Sequence, residues 1–413
     1  MAKQAQTTST VHQGAEPDIP VAPAFQHATP AFRTFCGGHS LDALPRELDR
    51  AGVSRAVLFC GASMTRHAQA LGRVEAALGS RLAGLFDGVR EHSPLPSVLA
   101  GVQALTDADA DAVIAVGGGS AIVTARAAAI LLAEQQDVRD LCTQRRDDGR
   151  LHSPRLLKPK LPLWAVPTTP TTAYAKAGSA VSDPATGERL ALFDPKARAQ
   201  GVFLDPLLAL TAPPSLARSS ALNAFCMAVE GLQSGSGDAL AEALLAHALR
   251  MLAQWLPRLA AEPAAPEPRL RLMLAALLSG QGSDYAGGGL AQALSHATGP
   301  RSTASNGVIE ALLLPAVMRY NAPVTAARLE VVAQVMAPSA TIDGAGGGLG
   351  DRAAAEVERF LRQLGVPSRL RDAGVDRETI PQIVAHTLHD WVITQIPRPI
   401  SREGLHALLT AAW

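Results

Sequence analysis

The chain has 413 residues, of which 47% are hydrophobic and 18% are charged, and its 37 basic residues balance its 37 acidic ones. A net charge of zero and an aromatic content of 4% argue against nucleic acid or a membrane surface as a partner. Because single hydrophobic cores rarely exceed about 250–300 residues, two domains are predicted.

The amino terminus and the cysteines suggest a cellular setting. Residues 1–25 are polar and contain no apolar core of the signal-peptide type, so they are predicted to form a disordered tail. Cys36, Cys60, Cys142 and Cys226 are far apart and lack metal-binding spacing, which is typical of a reducing cytoplasm. No apolar run reaches the roughly 18 residues of a membrane span. We therefore expect a cytoplasmic protein.

Short apolar strands and helices alternate from residue 31 onward. The predicted strands lie at 31–35, 56–60, 82–86, 112–116, 161–167 and 201–206. The predicted helices lie at 41–51, 64–78, 97–105 and 121–134, with Ser40 as a possible cap of the first. This alternation predicts an α/β domain with a parallel, doubly wound sheet over residues 26–210. The charged stretch 135–160 is predicted to be a surface loop.

The strand at 112–116 ends in a glycine turn that precedes a long helix. The turn is Gly117, Gly118 and Gly119, followed by Ser120. Backbone N–H groups and a helix N-terminus in such a turn face an anion, and glycine lets a pyrophosphate approach closely. A tight turn without a ligand remains open, because the spacing is not that of G-x-G-x-x-G. Thr168 and Thr169 follow the next predicted strand, at the edge where α/β sheets bind ligands.

The pattern becomes helical from residue 215 onward. Helices are predicted at 219–233, 239–261, 269–285, 307–321 and 348–364. We therefore predict a second, all-helical domain over residues 211–413. The cleft between the two domains is the predicted active site.

Several stretches occur in the order found in the iron-containing alcohol dehydrogenase superfamily, which the chain resembles. They are Gly117–Ser120, Pro167–Thr169, Asp205–Pro206, Asn223–Glu230, His296 and Leu314–Asn321. Asn223 and the carboxyl end, with Pro397–Pro399 and Trp413, are most similar to the maleylacetate reductase branch. The resemblance implies the dehydroquinate synthase-like fold, with a nucleotide-binding α/β domain, a helical domain and hydride transfer from NADPH or NADH. We also expect a homodimer that acts on a small molecule.

The resemblance assigns the cofactor site. Gly117, Gly118, Gly119 and Ser120 would hold the pyrophosphate, with Thr168 and Thr169 nearby, and Gly61 and Ser63 would lie at the adenosine ribose. An acidic residue at position 61 would repel a 2′-phosphate, whereas glycine does not. Ser63 adds a hydrogen-bond donor there, so NADPH is expected to be accepted and slightly favoured over NADH.

The resemblance also locates the positions where metal-dependent members carry one Asp and three His. These positions are Asn223, Met227, Gln292 and Asn306. Hard cations prefer carboxylates and transition metals prefer imidazole or thiolate, so three amides and one thioether predict no metal. We expect the four side chains to line the substrate pocket instead.

Without a metal, a side chain must supply the proton and stabilise the alkoxide that carbonyl reduction forms. His296 is one candidate acid, because imidazole titrates near neutral pH, although it could equally be structural. Tyr174 and Lys176 form a second candidate, in which the lysine would lower the pKa of the phenol. Packing is the alternative role for Tyr174.

Two functions therefore stay open. The first is a metal-independent NAD(P)H-dependent reductase of a small carbonyl or enone, with carboxylate-bearing substrates included. The second is a non-redox enzyme on the same scaffold, such as a cyclase, dehydratase or lyase of specialised metabolism. A catalytically inactive binding protein is a third option, against which the intact glycine turn argues.

Overall fold

The computed structural model describes residues 25–146, 150–337 and 349–413. The tail predicted at 1–25 lies outside the described residues, apart from Phe25. The strands in the described part are β1 (Arg33–Cys36), β2 (Ala56–Phe59), β3 (Leu82–Phe86), β4 (Ala112–Gly117), β5 (Gln144–Arg145), β6 (Leu151–His152), β7 (Leu163–Pro167), β8 (Gly178–Ser182), β9 (Arg189–Phe193) and β10 (Ala199–Leu204).

The α-helices in the same described part follow the two domains predicted from the sequence. They are α1 (Leu44–Ala51), α2 (Ala68–Leu78), α3 (Leu95–Asp107), α4 (Gly119–Glu134), α5 (Val138–Leu141), α6 (Pro206–Thr211), α7 (Pro214–Gln233), α8 (Ala239–Ala261), α9 (Pro266–Ala286), α10 (Leu290–Thr298), α11 (Asn306–Met336), α12 (Leu349–Gln363), α13 (Ile380–His389) and α14 (Arg402–Ala412).

Six strands form one parallel sheet in the order β1-β10-β7-β4-β2-β3. All six predicted strands belong to it, so the predicted parallel α/β sheet is confirmed. β2 and β7 are buried along their whole length, as is β4 up to Val116, which explains their unbroken apolar runs.

Helices cover both faces of the sheet, and β4 shows how its side chains alternate between them. Ile114 and Val116 lie in the cluster with α1 and α2, whereas Val113 and Ala115 lie in the cluster with α3 and α4. Successive side chains of a strand point to opposite faces, so both sides of β4 are packed against helices. This burial fixes the sheet edge at which β4 ends.

The second half of the described chain is helical, and residues 211–337 and 349–413 contain no strand. The predicted helices at 219–233, 239–261 and 269–285 correspond to α7, α8 and α9. The helix predicted at 307–321 continues to Met336 as α11, with a kink at Thr325 just after Pro323. Proline removes one backbone hydrogen bond, but the chain resumes the helix beyond it. The helix predicted at 348–364 is α12, and residue 348 lies outside the described residues.

Some elements differ from the prediction or were missed. Ser40 does not cap α1, because it begins a 3₁₀ turn, Ser40–Ala43, that precedes the helix. The β8–β9 hairpin was missed, since β8 consists mainly of small residues with little strand preference. α10, α13 and α14 were also missed, and α10 is a short helix directly after three glycines. The predicted loop 135–160 contains α5, β5 and β6 in its described part.

All four cysteines lie in the described part of the chain, and none forms a disulfide. Cys36 is exposed and the other three are buried. Among the described helices, none is both long enough and apolar enough to cross a bilayer.

Candidate active site

The carboxyl ends of β2, β4 and β7 lie side by side, because these strands are neighbours in a parallel sheet. The predicted nucleotide-binding residues therefore meet at one edge. The Thr168 N–H donates to the Gly117 carbonyl at 2.9 Å. A Cβ added at Gly118 would lie 3.4 Å from Thr169 Oγ1. Gly61 and Ser63 follow β2 at the same edge.

The glycine turn leaves the start of α4 open. Gly117 has a φ of +144°, a conformation that favours glycine, and Gly118 then precedes the first residue of α4. No side chain caps this 16-residue helix. Its N-terminus thus presents a partial positive charge next to a turn without side chains, which fits a pyrophosphate.

Ser120 is held by two residues that the sequence did not single out. Its Oγ accepts from the His92 N–H at 3.2 Å, and its carbonyl accepts from Ser93 Oγ at 3.1 Å. His92 and Ser93 both have positive φ, of 61° and 48°. Such backbone is uncommon outside glycine and often occurs at functional sites. Single-sequence patterns give little sign of it.

A buried arginine connects α4 to the loop that carries Tyr174 and Lys176. Arg126 is fully buried and donates to the carbonyls of Ala197, Gly178 and Ala173 at 3.2, 2.7 and 2.6 Å. Burial lowers the pKa of Arg126 to about 10, so it remains charged at neutral pH. In the sequence, Arg126 stands out as a single charged residue inside the apolar run of α4.

Tyr174 lies in the core and does not form the predicted proton-donating pair with Lys176. Its side chain is fully buried, and its hydroxyl donates to the Met273 carbonyl. Burial raises the pKa of Tyr174 well above its usual value, so the expected lowered phenol pKa is wrong. Tyr174 therefore fills a packing role between the loop and α9.

Lys176 contacts one of the positions assigned to metal ligands. Its Nζ is 3.0 Å from the sulfur of Met227, one helical turn after Asn223 on α7. The Asn223 side-chain amide donates to Glu310 Oε2 at 2.5 Å. Glu310 lies on α11 and is fully buried, and it was missed because it is a single acid within the apolar stretch 307–318. We call Lys176, Met227, Asn223 and Glu310 the Lys176 cluster.

Gln292 and Asn306 pack against glycines that flank the two ends of α10. A Cβ at Gly288 would lie 2.2 Å from Gln292 Oε1, and one at Gly299 would lie 1.9 Å from Asn306 Oδ1. The Asn223 side-chain amide, by contrast, donates to Glu310.

Glu230 holds the start of α10, the helix that bears Gln292 and His296. Its two carboxyl oxygens accept from the Ala291 and Gln292 N–H groups at 2.7 and 3.1 Å. Burial raises the pKa of Glu230 to about 7, although these hydrogen bonds oppose the shift. Its charge thus changes near neutral pH.

His296 is oriented by an acid that the sequence did not reveal. Its Nδ1 lies 2.7 Å from Asp390 Oδ2, and both side chains are largely buried. Burial and then Arg189 lower the pKa of His296, and Lys176 adds to the lowering, while the hydrogen bond that His296 donates to Asp390 opposes it. Burial thus favours the neutral form of the His296 imidazole, and the charge of Lys176 adds to that preference.

These donors match a divalent cation poorly. The assigned positions offer three amides and one thioether, and the ammonium of Lys176 stands at the thioether. An ammonium this close would repel a divalent cation, while neutral ligands compete weakly with water. Across residues 25–146, 150–337 and 349–413, no group of three or more His, Cys, Asp or Glu side chains is placed to hold a metal.

Two family models match consecutive parts of the chain. The model described as iron-containing alcohol dehydrogenase matches residues 30–206, and the model of the carboxyl-terminal part of the Fe-containing alcohol dehydrogenase family matches residues 217–413. Together they cover nearly all of the described structure.

Named relatives match over almost their whole length. Maleylacetate reductase 2 of Cupriavidus pinatubonensis is 31% identical over 386 residues, which are 92% of this chain and 94% of that protein. Lactaldehyde reductase of Escherichia coli K12 is 30% identical over 385 residues, covering 91% and 97%. The crystal structure of maleylacetate reductase from Rhizobium sp. strain MTP-10005 has a TM-score of 0.75 at 25% identity and covers 95% and 99%.

Proposed function

The chain belongs to the iron-containing alcohol dehydrogenase family and is an NAD(P)-dependent oxidoreductase, and we propose that it reduces a small carbonyl or enone without a metal ion. The main observation in support of a metal-independent reaction is the contact between Lys176 Nζ and the sulfur of Met227, at 3.0 Å. A positive side chain thus lies in contact with a residue at a metal-ligand position, and we propose that it supplies the charge that a cation would otherwise provide.

The glycine edge is proposed to hold the nucleotide. The open start of α4 would receive the pyrophosphate, with Thr168 and Thr169 beside it, and Gly61 and Ser63 would lie at the adenosine ribose. When bound, the reduced nicotinamide supplies the hydride. Gly61 carries no acid that would repel a 2′-phosphate, so both NADH and NADPH are proposed as cofactors.

The substrate is proposed to be small and to include carboxylate-bearing carbonyl compounds or enones. Relatives named maleylacetate reductase and lactaldehyde reductase support a reductase of small molecules. Lys176 adds a positive charge that suits an anionic substrate. His296, held by Asp390, is proposed to pass protons to the site as a neutral imidazole.

The organisation of the chain is part of the same proposal. The two family models meet between residues 206 and 217, which supports a boundary between an α/β domain at 26–210 and a helical domain at 211–413. We also propose that the protein is a cytoplasmic homodimer that binds neither nucleic acid nor membrane. Light scattering of the purified protein tests the dimer directly.

The reductase proposal is tested by following NADH and NADPH oxidation after dialysis against a chelator. Small aldehydes, 2-oxo acids and maleylacetate serve as substrates, and product is identified by mass spectrometry. We expect oxidation of nucleotide matched by an equal amount of alcohol or saturated acid. Nucleotide binding without any oxidation across this set would contradict the reductase and favour the non-redox enzyme.

A further inference from the structure

A cavity lies where the carboxyl ends of α7 and α9 meet residues 394–397. It encloses about 460 Å³, a size typical of small-molecule sites. Its polar lining consists of hydroxyl, amide and carboxyl groups, from Ser234, Ser236, Asp284, Tyr285, Thr394 and Gln395. None of the described residues that line it is a lysine, an arginine or a histidine. The cavity therefore offers hydrogen bonds without a positive side chain.

Gln395 connects this cavity to the predicted substrate pocket. Its Oε1 accepts from the Gly288 N–H at 2.8 Å, and a Cβ at Gly288 would lie 2.2 Å from Gln292 Oε1. Gly288 thus lies between a residue of the cavity and a residue of the predicted pocket. Because the Gln395 oxygen is already engaged, its amide N–H groups are left as donors.

Asp284 is the one charged residue among the described residues that line the cavity. Its Oδ2 forms an ion pair with Arg198, which also donates to the Ala175 carbonyl at 2.8 Å, directly before Lys176. The ion pair engages one carboxyl oxygen, so the other remains an acceptor. A carboxylate placed in the cavity would meet Asp284 as a like charge, whereas a hydroxyl could donate to it.

The wall of the cavity at Tyr285 is held by the segment that precedes β1. His27 stacks on the Tyr285 ring with the two ring centroids 3.8 Å apart, and the Ala28 N–H donates to the Tyr285 hydroxyl at 3.1 Å. The His27 Nδ1 lies 2.8 Å from Asp238 Oδ2, and both side chains are largely buried. Residues 25–29 precede the family match, which begins at residue 30. This wall is therefore fixed by a segment outside the matched region.

Resting on the proposed reductase function, we propose that the cavity binds the part of the substrate remote from its carbonyl, and that this part is a neutral, hydroxyl-bearing group. A hydroxyl can donate to Asp284 and accept from Gln395, whereas a carboxylate only accepts. Asp284 thus determines specificity by attracting the one and repelling the other. His27 is a positioning residue that acts through Tyr285. The preferred substrates are hydroxylated aldehydes or 2-oxo acids rather than dicarboxylates.

The test compares two 2-oxo acids of equal length, 5-hydroxy-2-oxopentanoate and 2-oxoglutarate, which differ only at the remote end. For the full-length wild type, kcat/KM of the hydroxy acid is expected to exceed that of the dicarboxylate by roughly 100-fold or more. Asp284→Asn keeps the shape and should reduce this ratio by roughly 10-fold or more, because a like charge is lost. Effects on the shared carbonyl cancel in the ratio. Asp372→Asn, at an exposed aspartate, should retain the wild-type ratio.

His27→Ala tests the positioning role. It should raise KM for 5-hydroxy-2-oxopentanoate by roughly 3- to 10-fold, because the stacked contact that orders the Tyr285 wall is lost. KM for glyoxylate, which has no remote group, should change by less than about twofold, since only the cavity is disturbed. His27→Phe retains a stacked ring and should restore most of the wild-type KM. His39→Ala, at an exposed histidine, is the matched control.

The possible results separate the inference from the proposed function. Equal kcat/KM for the two acids in the wild type, or an unchanged ratio in folded Asp284→Asn, would overturn the inference. Equal changes of both KM values in His27→Ala would overturn the positioning role. If the wild type reduces neither acid, calorimetric titration of the nucleotide-loaded protein with both decides: tighter binding of the hydroxy acid supports the inference, and equal or absent binding overturns it. Failure to reduce any carbonyl compound is the separate result that rejects the proposed function.

Discussion

The glycine edge of the sheet and the Lys176 cluster serve the same proposed reaction but are built differently. The edge is made of backbone, with the positive φ of Gly117 and an uncapped helix start as its main features. The cluster is made of side chains from a loop and from α7 and α11. A backbone site depends on a few glycines, whereas each side chain of a cluster can be exchanged separately. The glycine edge can therefore persist while the side chains of the cluster change.

The strongest expected effect falls on the residue that joins the two regions. Arg126→Met should lower the free energy of unfolding by about 3–5 kcal/mol, because three buried carbonyls lose charged donors. Urea denaturation measures the change, and Arg250→Met, at an exposed arginine, is the matched control. Equal stability of the Arg126 variant and wild type would mean that the loop does not depend on α4.

The second effect concerns the helix that carries His296. Glu230 has a pKa of about 7 in the folded chain, raised by burial from its ordinary value of 4.5. A carboxyl with a raised pKa gives its full stability below the unfolded pKa and loses it as pH rises through the folded pKa. Wild type should thus lose roughly 3 kcal/mol relative to Glu230→Gln between about pH 4.5 and 7.

The check on Glu230 is a set of denaturation curves for both proteins at several pH values. Glu310 interacts with Glu230 and also has a raised pKa. The quantity to follow is therefore the difference in unfolding free energy between wild type and Glu230→Gln, rather than either curve alone. A difference that stays constant from pH 4 to 8 would contradict an ionisation of Glu230 near pH 7.

The same contrast explains what the sequence could predict. Unbroken apolar runs such as that of β4, and the three glycines after it, are local signals, so the sheet and its glycine edge were predictable. Lys176 and Met227 are 51 residues apart, and Asn223 and Glu310 are 87 apart, so no local pattern joins them. Lone charges in apolar helices, at Arg126 and Glu310, were the available signal.

The third expected effect concerns His296, which lies on α10 outside the Lys176 cluster. His296→Ala should lower the single-turnover rate by roughly 10²-fold, because a proton path through the Asp390-bound imidazole is lost. His247→Ala, at an exposed histidine, controls for the substitution. Thermal melts run in parallel identify a structural histidine, for which stability would fall and the rate per folded molecule would hold.

The smallest expected effect concerns the glycine edge. Gly118 has a φ of −78°, which any residue adopts, and an added Cβ would be only 3.4 Å from Thr169 Oγ1. Gly118→Val should therefore fold, yet crowd the pyrophosphate and weaken nucleotide binding by roughly 10- to 100-fold. Gly72→Val in α2, where nothing lies within 4 Å of the added Cβ, is the control. Unchanged affinity would place the nucleotide elsewhere.

The central claim is that this chain binds its nucleotide and reduces a carbonyl without a metal ion. The most direct measurement is calorimetric titration of chelator-dialysed protein with NADH and NADPH, combined with elemental analysis of the same sample. We expect one nucleotide bound per chain, at micromolar to low millimolar affinity, with far less than one equivalent of zinc or iron. About one metal ion per chain, whose removal abolishes both nucleotide binding and reduction, would contradict it.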